Sequence, residues 1–346
     1  MQSFKLAVAF LLFPPLFAQP ADSRPSIPAP IPPAVPAPRI IVIGVDGLSV
    51  SGVRSAHTPR LHELIARSAW TLGARGVMPT LSSPNWASAI DGAGPEQHGI
   101  TSNGHFRKMV AIQPVCPDGD GMFPTVFAVL RAQRPGSGIA VFHDWAGFAN
   151  LVERSAPDVM RHESGAAKTT AAAVRYWRQF HPTLMFVHLD NVDHAGHMHG
   201  WSSPAYQAAV EQADRYIGAI LDMLPADDAL GSTFVLVTSD HGGKGRHHGH
   251  NSLEEIQIPW ILAGPEIAPG EITAAVYTFD TAATIAWILS LDTPECWIGR
   301  PVLSAFRPSA VAARARSHSE HTAGDCSLGP SLSPSEPLGN VLWGRH

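Results

Sequence analysis

The chain has 346 residues, of which 45% are hydrophobic and 15% charged, and its formal net charge is −5. A chain of this length can bury the core of one large domain or of two smaller ones. Its mild acidity, without a long basic run, gives no support for a nucleic-acid-binding surface. Its 18 histidines include clusters at 193–199 and 241–250, and clustered histidine beside aspartate favours a metal site.

The N-terminal residues have the pattern of a leader followed by a spacer. An apolar stretch at residues 6–17 is preceded by Lys5 and followed by small residues, which is typical of a secretory signal peptide at residues 1–21. An uncleaved membrane anchor is the alternative. Residues 22–38 are crowded with proline and should form an extended linker. We therefore expect a secreted or periplasmic protein with no transmembrane domain after cleavage.

From residue 39 onwards, apolar strand-like runs alternate with helix-like segments. Strands are predicted at residues 40–45, 139–142, 184–188, 234–237 and 258–262. Helices are predicted at residues 59–65, 84–90, 124–131, 170–180, 204–224 and 280–289. Apolar strands without alternation favour a parallel sheet that is buried on both faces.

The expected fold class is therefore α/β, with a mostly parallel central sheet, helices on both faces and a small cap region within residues 104–182. We assign residues 39–306 to this domain. Residues 307–346 are rich in Ala, Arg, Ser, Pro and Gly, and we expect a loosely ordered C-terminal tail there.

Two of the predicted strands end in an aspartate. Asp46 lies in the segment GVDG, and Asp240 lies in the segment TSDHGG, where His241 follows it. Ligands of open α/β sheets collect at the carboxyl ends of strands, so these two carboxylates can converge on one cation. A carboxylate beside an imidazole is a donor mixture that suits zinc. Taken alone, either aspartate is equally compatible with an ordinary turn or cap residue.

Two further segments offer metal ligands. The segment VDHAGH places Asp193 and His197 four residues apart, so one helical turn brings both donors to the same side. The segment and its flanks contain other possible donors: His188, Asp190, His194 and His199. We expect most of them to hydrogen-bond to the metal ligands or to lie at the surface, and not to bind metal themselves. The segment GRHHGH can supply another ligand, and its spacing does not decide between His247, His248 and His250.

The segment PTLSSPNW supplies a hydroxyl. Pro84 is suited to the first position of a helix, which makes Ser83 the predicted N-cap. Ser82 then lies just before the cap, where an anion would meet the positive end of the helix. Metal coordination lowers the pKa of a hydroxyl, so Ser82 is the candidate nucleophile and a candidate metal ligand. Asn103, further along the chain, is a candidate hydrogen-bond donor to a substrate oxygen.

Two Asp/His clusters and a hydroxyl together indicate a two-metal site. Such sites hold both the attacking and the leaving oxygen of an in-line displacement at phosphorus. The cysteines, Cys116, Cys296 and Cys326, form no CxxC pair, which argues against a thiolate zinc site. One disulfide is possible among them, and the spacing does not select it.

Seven segments within residues 39–301 together resemble the alkaline phosphatase superfamily, specifically its type I phosphodiesterase/nucleotide pyrophosphatase branch. In chain order they are GVDG, PTLSSPNW, GAGPEQHGITSN, VDHAGH, TSDHGG, GRHHGH and IPWILAGP. The resemblance implies two zinc sites, held by Asp46, Asp240 and His241, and by Asp193, His197 and His248. Ser82 falls where the family has its Thr or Ser nucleophile, which also meets the first zinc, and Asn103 falls where the family has a donor to a phosphate oxygen. The resemblance also implies a covalent phosphoserine intermediate that water then hydrolyses.

The expected function is hydrolysis of phosphodiester or pyrophosphate bonds with two divalent metal ions, zinc in preference. Its substrate would be a small phosphoester such as a nucleotide or a lipid head group, and the oligomeric state is left open. Alternatives on the same scaffold are a phosphomonoesterase, a phosphonate hydrolase and a sulfatase. Phosphomonoesterases of the superfamily add a magnesium site and an arginine that we cannot assign, and Trp86 replaces the arginine of the sulfatase motif. A non-catalytic zinc-binding envelope protein is the alternative from a different class.

Overall fold

The structure is a computed structural model that describes residues 37–105, 109–119, 121–224 and 231–315. The predicted signal peptide, nearly all of the predicted linker and residues 316–346 of the predicted tail lie outside these ranges. Among the described residues, none of the helices combines the length and the apolar character that a membrane span requires.

The described strands are β1 (Arg39–Val45), β2 (Ala69–Arg75), β3 (Ile139–His143), β4 (Val159–His162), β5 (Leu184–Leu189), β6 (Thr233–Thr238), β7 (Gln257–Ala263) and β8 (Gly270–Glu271). The helices are α1 (Val50–Ser55), α2 (Pro59–Ala66), α3 (Ser82–Asp91), α4 (Pro95–His98), α5 (Val126–Gln133), α6 (Ala166–Phe180), α7 (Asn191–His199), α8 (Pro204–Leu221), α9 (Leu253–Ile256) and α10 (Asp280–Ile288). Short 3-10 helices span Ala146–Asn150 and Leu303–Ala305.

The strands form one sheet in the order β4-β3-β5-β1-β6-β7-β2-β8. Strand β7 runs antiparallel to both of its neighbours, and the other neighbouring pairs are parallel. The predicted α/β fold with a mostly parallel sheet is therefore confirmed. Because β5, β1 and β6 are adjacent and parallel, their carboxyl ends meet at one edge, which brings together the residues that follow each of them.

Helices cover both faces of the sheet because successive residues of a strand point to opposite sides. From β1, Ile40 and Val42 pack in one buried cluster with residues of α3, α5 and α10. Ile41 and Ile43 pack in a second cluster with residues of α2, α6 and α8. The helix predicted at residues 204–224 buries the apolar side chains that recur at helical spacing on and just beyond α8: Val210, Ala213, Ile217, Ile220, Leu221 and Leu224. Burial of a large aliphatic side chain contributes roughly 1.5–3 kcal/mol, so these two layers hold the sheet edge rigidly in place.

One predicted feature of α3 is wrong. The helix begins at Ser82 with Leu81 in the N-cap position, so Ser83 is not its N-cap. The backbone N–H of Ser83 donates instead to Oδ1 of Asn103 at 2.9 Å. A side chain twenty residues away therefore supplies the acceptor that the local sequence pattern assigned to a serine.

The irregular part of the expected cap region is shorter than residues 104–182. That range contains α5, β3, β4 and α6, and the longest stretch of its described residues without a helix or strand lies at about 104–125. A disulfide between Cys116 and Cys296, with Cα atoms 6.4 Å apart, ties this segment to the chain after α10. The sequence left this pairing open, and Cys326 lies outside the described residues.

The chain continues in an ordered helix beyond residue 306. Residues 308–315, within the stretch expected to be a loosely ordered tail, are helical. The guanidinium of Arg314 donates to the carbonyl oxygens of Trp287 and Ile288 at the end of α10, which fastens this helix to the domain.

Candidate active site

The first predicted ligand group converges around one imidazole nitrogen. The Nε2 atom of His241 lies 3.2 Å from Oδ2 of Asp240 and 3.5 Å from Oδ1 of Asp46. The hydroxyl oxygen of Ser82 lies 3.3 Å from the same nitrogen. All four side chains are buried. The carboxyl ends of β1 and β6 supply the two aspartates, and the start of α3 supplies the hydroxyl.

The second predicted ligand group forms beside the first. Asp193 and His197 lie one turn apart on α7, with Nε2 of His197 3.4 Å from Oδ2 of Asp193. The Nε2 atom of His248 lies 3.6 Å from Oδ1 of Asp193 and 3.0 Å from Nε2 of His197. The side chain of His248 is nearly buried, whereas His247 and His250 are exposed. The structure thus brings His248, among the three histidines of that loop, into the cluster.

Asp193 connects the two groups. Ligand atoms of Asp193, His197 and His248 lie within 4.8 Å of one another, and so do those of Asp46, Asp193 and His241. The second set contains Asp193 where the sequence led us to expect Asp240. The rings of His241 and His248 also stack, with centroids 3.7 Å apart. The two groups therefore form one continuous site.

The three imidazoles are held with Nε2 facing the site. Nδ1 of His241 contacts the carbonyl oxygen of Gly242 at 2.8 Å. Nδ1 of His248 contacts the carbonyl oxygen of Thr80 at 2.8 Å, and Nδ1 of His197 contacts that of Arg246 at 2.9 Å. A carbonyl can only accept, so in each neutral ring the proton is on Nδ1 and the lone pair is on Nε2. Metal-ligating histidines are oriented by the same kind of contact.

Three carboxylate oxygens in this site have no hydrogen-bond partner among the described residues although they are buried. They are Oδ1 of Asp46, Oδ1 of Asp193 and Oδ2 of Asp240. A buried carboxylate oxygen without a donor is costly, and a cation removes that cost. Together with three imidazole lone pairs, this donor set fits divalent metal ions of the zinc type.

The pKa values of the aspartates lead to the same conclusion. Burial and the nearby carboxylates of Asp46 and Asp190 raise the pKa of Asp193 to about 9. Burial and the charges of Asp46 and Asp193 raise the pKa of Asp240 well above its ordinary range. Since metal ligands must be deprotonated, bound cations would supply the positive charge that lets these carboxyls ionise together.

A second layer of residues holds Asp46, and the sequence did not reveal it fully. Nε1 of Trp86 donates to Oδ2 of Asp46 at 2.9 Å, and Nε2 of His188 donates to the same oxygen at 3.0 Å. Nδ1 of His188 faces Oδ1 of Asp144 at 3.4 Å. Burial disfavours the charged imidazole, but its hydrogen bonds to Asp144 and Asp46 outweigh burial and raise the pKa of His188 to about 10. The contact from His188, with the nearby His241, likewise outweighs burial of Asp46 and lowers its pKa to about 2.

Asp144 could have been found in the sequence. It follows directly after β3, just as Asp46 follows directly after β1, and Asp240 lies two residues after the end of β6. Of the surplus donors named from the sequence, His188 supports Asp46, whereas His194 and His199 are exposed on α7.

Comparisons with known proteins identify the family of this chain. The family model for type I phosphodiesterase/nucleotide pyrophosphatase matches residues 40–256. Ectonucleotide pyrophosphatase/phosphodiesterase family member 1 of Mus musculus is 25% identical over 296 residues, which are 80% of this chain and 32% of that protein. The chain therefore spans about a third of the length of this relative.

Two solved structures show a similar fold. Murine ectonucleotide pyrophosphatase/phosphodiesterase 5, as an inactive variant in complex with AMP, has a TM-score of 0.62 and 15% identity, covering 74% of this chain and 96% of that chain. A 2-O GAG sulfatase has a TM-score of 0.61 and 16% identity, covering 78% of this chain and 74% of that chain. With the family match spanning more than half of its residues, the chain belongs to the type I phosphodiesterase/nucleotide pyrophosphatase family, a family of phosphoric ester hydrolases within the alkaline phosphatase superfamily.

Proposed function

We propose that this chain is a di-zinc phosphodiesterase or nucleotide pyrophosphatase that acts through a covalent phosphoserine at Ser82. One observation carries the proposal: a serine hydroxyl lies 3.3 Å from Nε2 of His241, in a cluster of imidazole lone pairs and of buried carboxylate oxygens that have no donor among the described residues. A purely structural metal site is typically closed by its protein ligands, whereas a catalytic site includes reacting groups beside the metal. A non-catalytic zinc-binding protein would have no use for that hydroxyl.

We assign the residues present to two ions. One ion would be held by Asp46, Asp240 and His241, with Ser82 beside it, and the other by Asp193, His197 and His248. Zinc suits this mixture of carboxylate and imidazole ligands better than magnesium or calcium, which prefer oxygen ligands alone. When bound, the two ions supply Lewis-acid charge for the attacking and leaving oxygens at phosphorus.

Ser82 and Asn103 are suited to act on the substrate. Ser82 is the first residue of α3, so an anion beside its hydroxyl lies at the positive end of the helix dipole. Oδ1 of Asn103 accepts the N–H of Ser83, which fixes the amide plane and leaves Nδ2 to donate to a phosphoryl oxygen. Oγ of Ser82 would attack phosphorus in line with the leaving oxygen, and water would then release the phosphoryl group from Ser82.

A nucleotide is the substrate class we favour. The similar murine structure was obtained in complex with AMP. A lipid head group carries the same phosphodiester chemistry and is the alternative. We place the activity outside the cytoplasm because residues 1–21 have the pattern of a signal peptide and because disulfides such as Cys116–Cys296 persist in oxidising compartments.

The sulfatase alternative is disfavoured by Trp86. The sulfatase motif requires an arginine at this position, and here the indole is fully buried and donates to Asp46. The fold similarity to a sulfatase therefore does not extend to this part of the site.

The test is a comparison of two p-nitrophenyl substrates, the phosphodiester and the matching monoester, with zinc-loaded and metal-free protein. We expect zinc-dependent hydrolysis with a clear preference for the diester. A preference for the monoester would contradict the substrate assignment. Zinc binding without cleavage of either substrate would contradict the proposed activity.

A further inference from the structure

His188 and Asp144 are buried polar residues beside the proposed metal site, and neither is needed as a ligand. The side chain of His188 is 0% exposed and that of Asp144 is 3% exposed. His188 is the last residue but one of β5, and Asp144 follows β3, the neighbouring strand of the sheet. Both therefore lie at the edge where Asp46 follows β1.

A chain of polar contacts runs from Asp144 through His188 to Asp46. The backbone N–H of Asp190 donates to Oδ1 of Asp144 at 2.8 Å, which fixes that carboxylate. The same oxygen faces Nδ1 of His188 at 3.4 Å, and Nε2 of His188 donates to Oδ2 of Asp46 at 3.0 Å. The imidazole ring is thus oriented from both sides.

As a result, the two carboxylate oxygens of Asp46 have different partners. Oδ2 accepts from both His188 and Trp86. Oδ1 is buried, has no donor within the described part of the chain and lies 3.5 Å from Nε2 of His241. Without the contacts to Oδ2, the carboxylate could rotate about χ2 and exchange its two oxygens. The contacts leave Oδ1 facing the cluster.

Packing alone does not account for a histidine at this position. The ring lies among aromatic side chains, with centroid distances of 5.1 Å to Trp86 and 5.0 Å to Phe148. An apolar side chain would fill such a space without the cost of burying two polar nitrogens. Here Nδ1 instead contacts Asp144 and Nε2 contacts Asp46.

We propose that Asp144 and His188 form a positioning pair that fixes Asp46 with Oδ1 directed at one of the two metal ions. This inference rests on the proposed metal-dependent function. It predicts that loss of the pair weakens one metal site and leaves the site of Asp193, His197 and His248 unchanged. Residues that orient a metal ligand typically contribute about 10–100-fold to metal affinity.

The test is calorimetric titration of Zn²⁺ into metal-free protein, for wild type and for His188→Leu and His188→Gln. Leucine fills the space and removes both nitrogens, whereas the amide of glutamine can still donate to Asp46. We expect His188→Leu to bind one ion about 10–100-fold more weakly and the second ion as wild type does. His188→Gln should bind both ions within a few-fold of wild type, and the exposed His199→Leu is the matched control.

Thermal unfolding of the metal-free variants checks that each one folds. If His188→Leu does not fold, Asp144→Ala replaces it, with weaker binding of the same single ion expected. Wild-type affinity for both ions in the folded His188→Leu or Asp144→Ala variant would overturn the positioning role while the proposed function stands. An equal loss in His188→Gln and His188→Leu would also overturn it. Failure of the wild-type protein to bind zinc would overturn both.

Discussion

At the scale of single residues, the hydroxyl of Ser82 is the proposed nucleophile. It is 6% exposed, lies 3.3 Å from Nε2 of His241 and begins helix α3. A serine hydroxyl is a weak nucleophile at its ordinary pKa, so its reactivity depends on the groups around it. Two strand ends and one helix start bring those neighbours together.

We expect Ser82→Ala to lose roughly 10³-fold or more in kcat for diester hydrolysis, because the attacking oxygen is removed. Zinc binding should remain, since Asp46, Asp240 and His241 are intact. Ser82→Thr keeps the hydroxyl and is the matched control, which should retain much of the activity. Steady-state kinetics with a p-nitrophenyl diester measure both variants. Full activity in Ser82→Ala would show that another group attacks phosphorus.

The proposed ligands make a separate prediction. Asp240→Asn and His241→Ala should each lose metal as well as activity, because the first replaces a charged carboxylate by a neutral amide and the second removes an imidazole ligand. The control is His247→Ala, which removes an exposed imidazole from the same loop region. Metal content per chain, measured by mass spectrometry of the dialysed proteins, decides the result. Two ions retained in Asp240→Asn and His241→Ala would contradict the ligand assignment.

The sequence was informative for residues whose spacing is local. Asp46 and Asp240 were recognisable because each ends an apolar strand, and Asp193 and His197 because they lie four residues apart. Spacing alone did not decide between the three histidines of one glycine-containing loop. The family resemblance implied His248, and the structure places its imidazole beside Asp193 and His197. The roles of His188 and Asp144 depend on the lateral order of β3, β5 and β1, which residue spacing does not express.

At the scale of elements, five of the strands were predictable. Each is a short apolar run between helix-like segments, a pattern that indicates a strand buried on both faces. Strands β2, β4 and β8 were missed. Strands β4 and β8 lie at the edges of the sheet, where no apolar run is needed. Strand β2 lies inside the sheet, but its sequence mixes polar, glycine and apolar residues and contains no continuous apolar run. The antiparallel orientation of β7 was also not predicted from the sequence, because a buried strand has the same apolar pattern whichever way it runs. The start of α3 was misplaced because its acceptor, Asn103, comes from a distant loop.

The N-terminus of α5 provides a pH-dependent element outside the active site. Thr125 caps this helix, and its backbone N–H and hydroxyl both donate to the carboxyl of Glu153. Burial raises the pKa of Glu153 to about 7 in spite of these hydrogen bonds. A carboxyl with a raised folded-state pKa favours the folded state when protonated. Its contribution is present below its ordinary pKa and is lost as the pH rises through 7.

Glu153→Gln should therefore be more stable than wild type at pH 8, by roughly 1–3 kcal/mol, and similar to wild type at pH 4. The amide keeps the shape and one acceptor but cannot ionise. Urea unfolding of metal-free wild type and variant at several pH values measures the difference. A difference that does not grow between pH 4 and pH 8 would show that Glu153 titrates normally in the folded protein.

At the scale of the whole molecule, one covalent link joins distant parts of the chain. The disulfide between Cys116 and Cys296 closes a loop over a sequence separation of 180 residues. It fastens the irregular segment near residue 116, which follows Asn103 in the chain, to the region after α10. The sequence could not select this pair because proximity depends on the complete fold.

Cys116→Ser should lower the free energy of unfolding by about 2–5 kcal/mol, because the unfolded chain gains freedom when so long a loop is opened. The double variant Cys116→Ser/Cys296→Ser should behave like the single one, since either change breaks the same bond. Urea unfolding with and without reductant provides the measurement. Equal stability of oxidised wild type and variant would contradict a stabilising role.

The central claim is that Ser82 forms a covalent bond to phosphorus during hydrolysis. The most direct measurement is the stereochemical course at phosphorus, using a chiral phosphorothioate diester and isotopically labelled water. Each in-line displacement inverts the configuration, so attack by Ser82 followed by attack by water should give net retention. Net inversion would mean a single displacement by water, and it would contradict the phosphoserine intermediate.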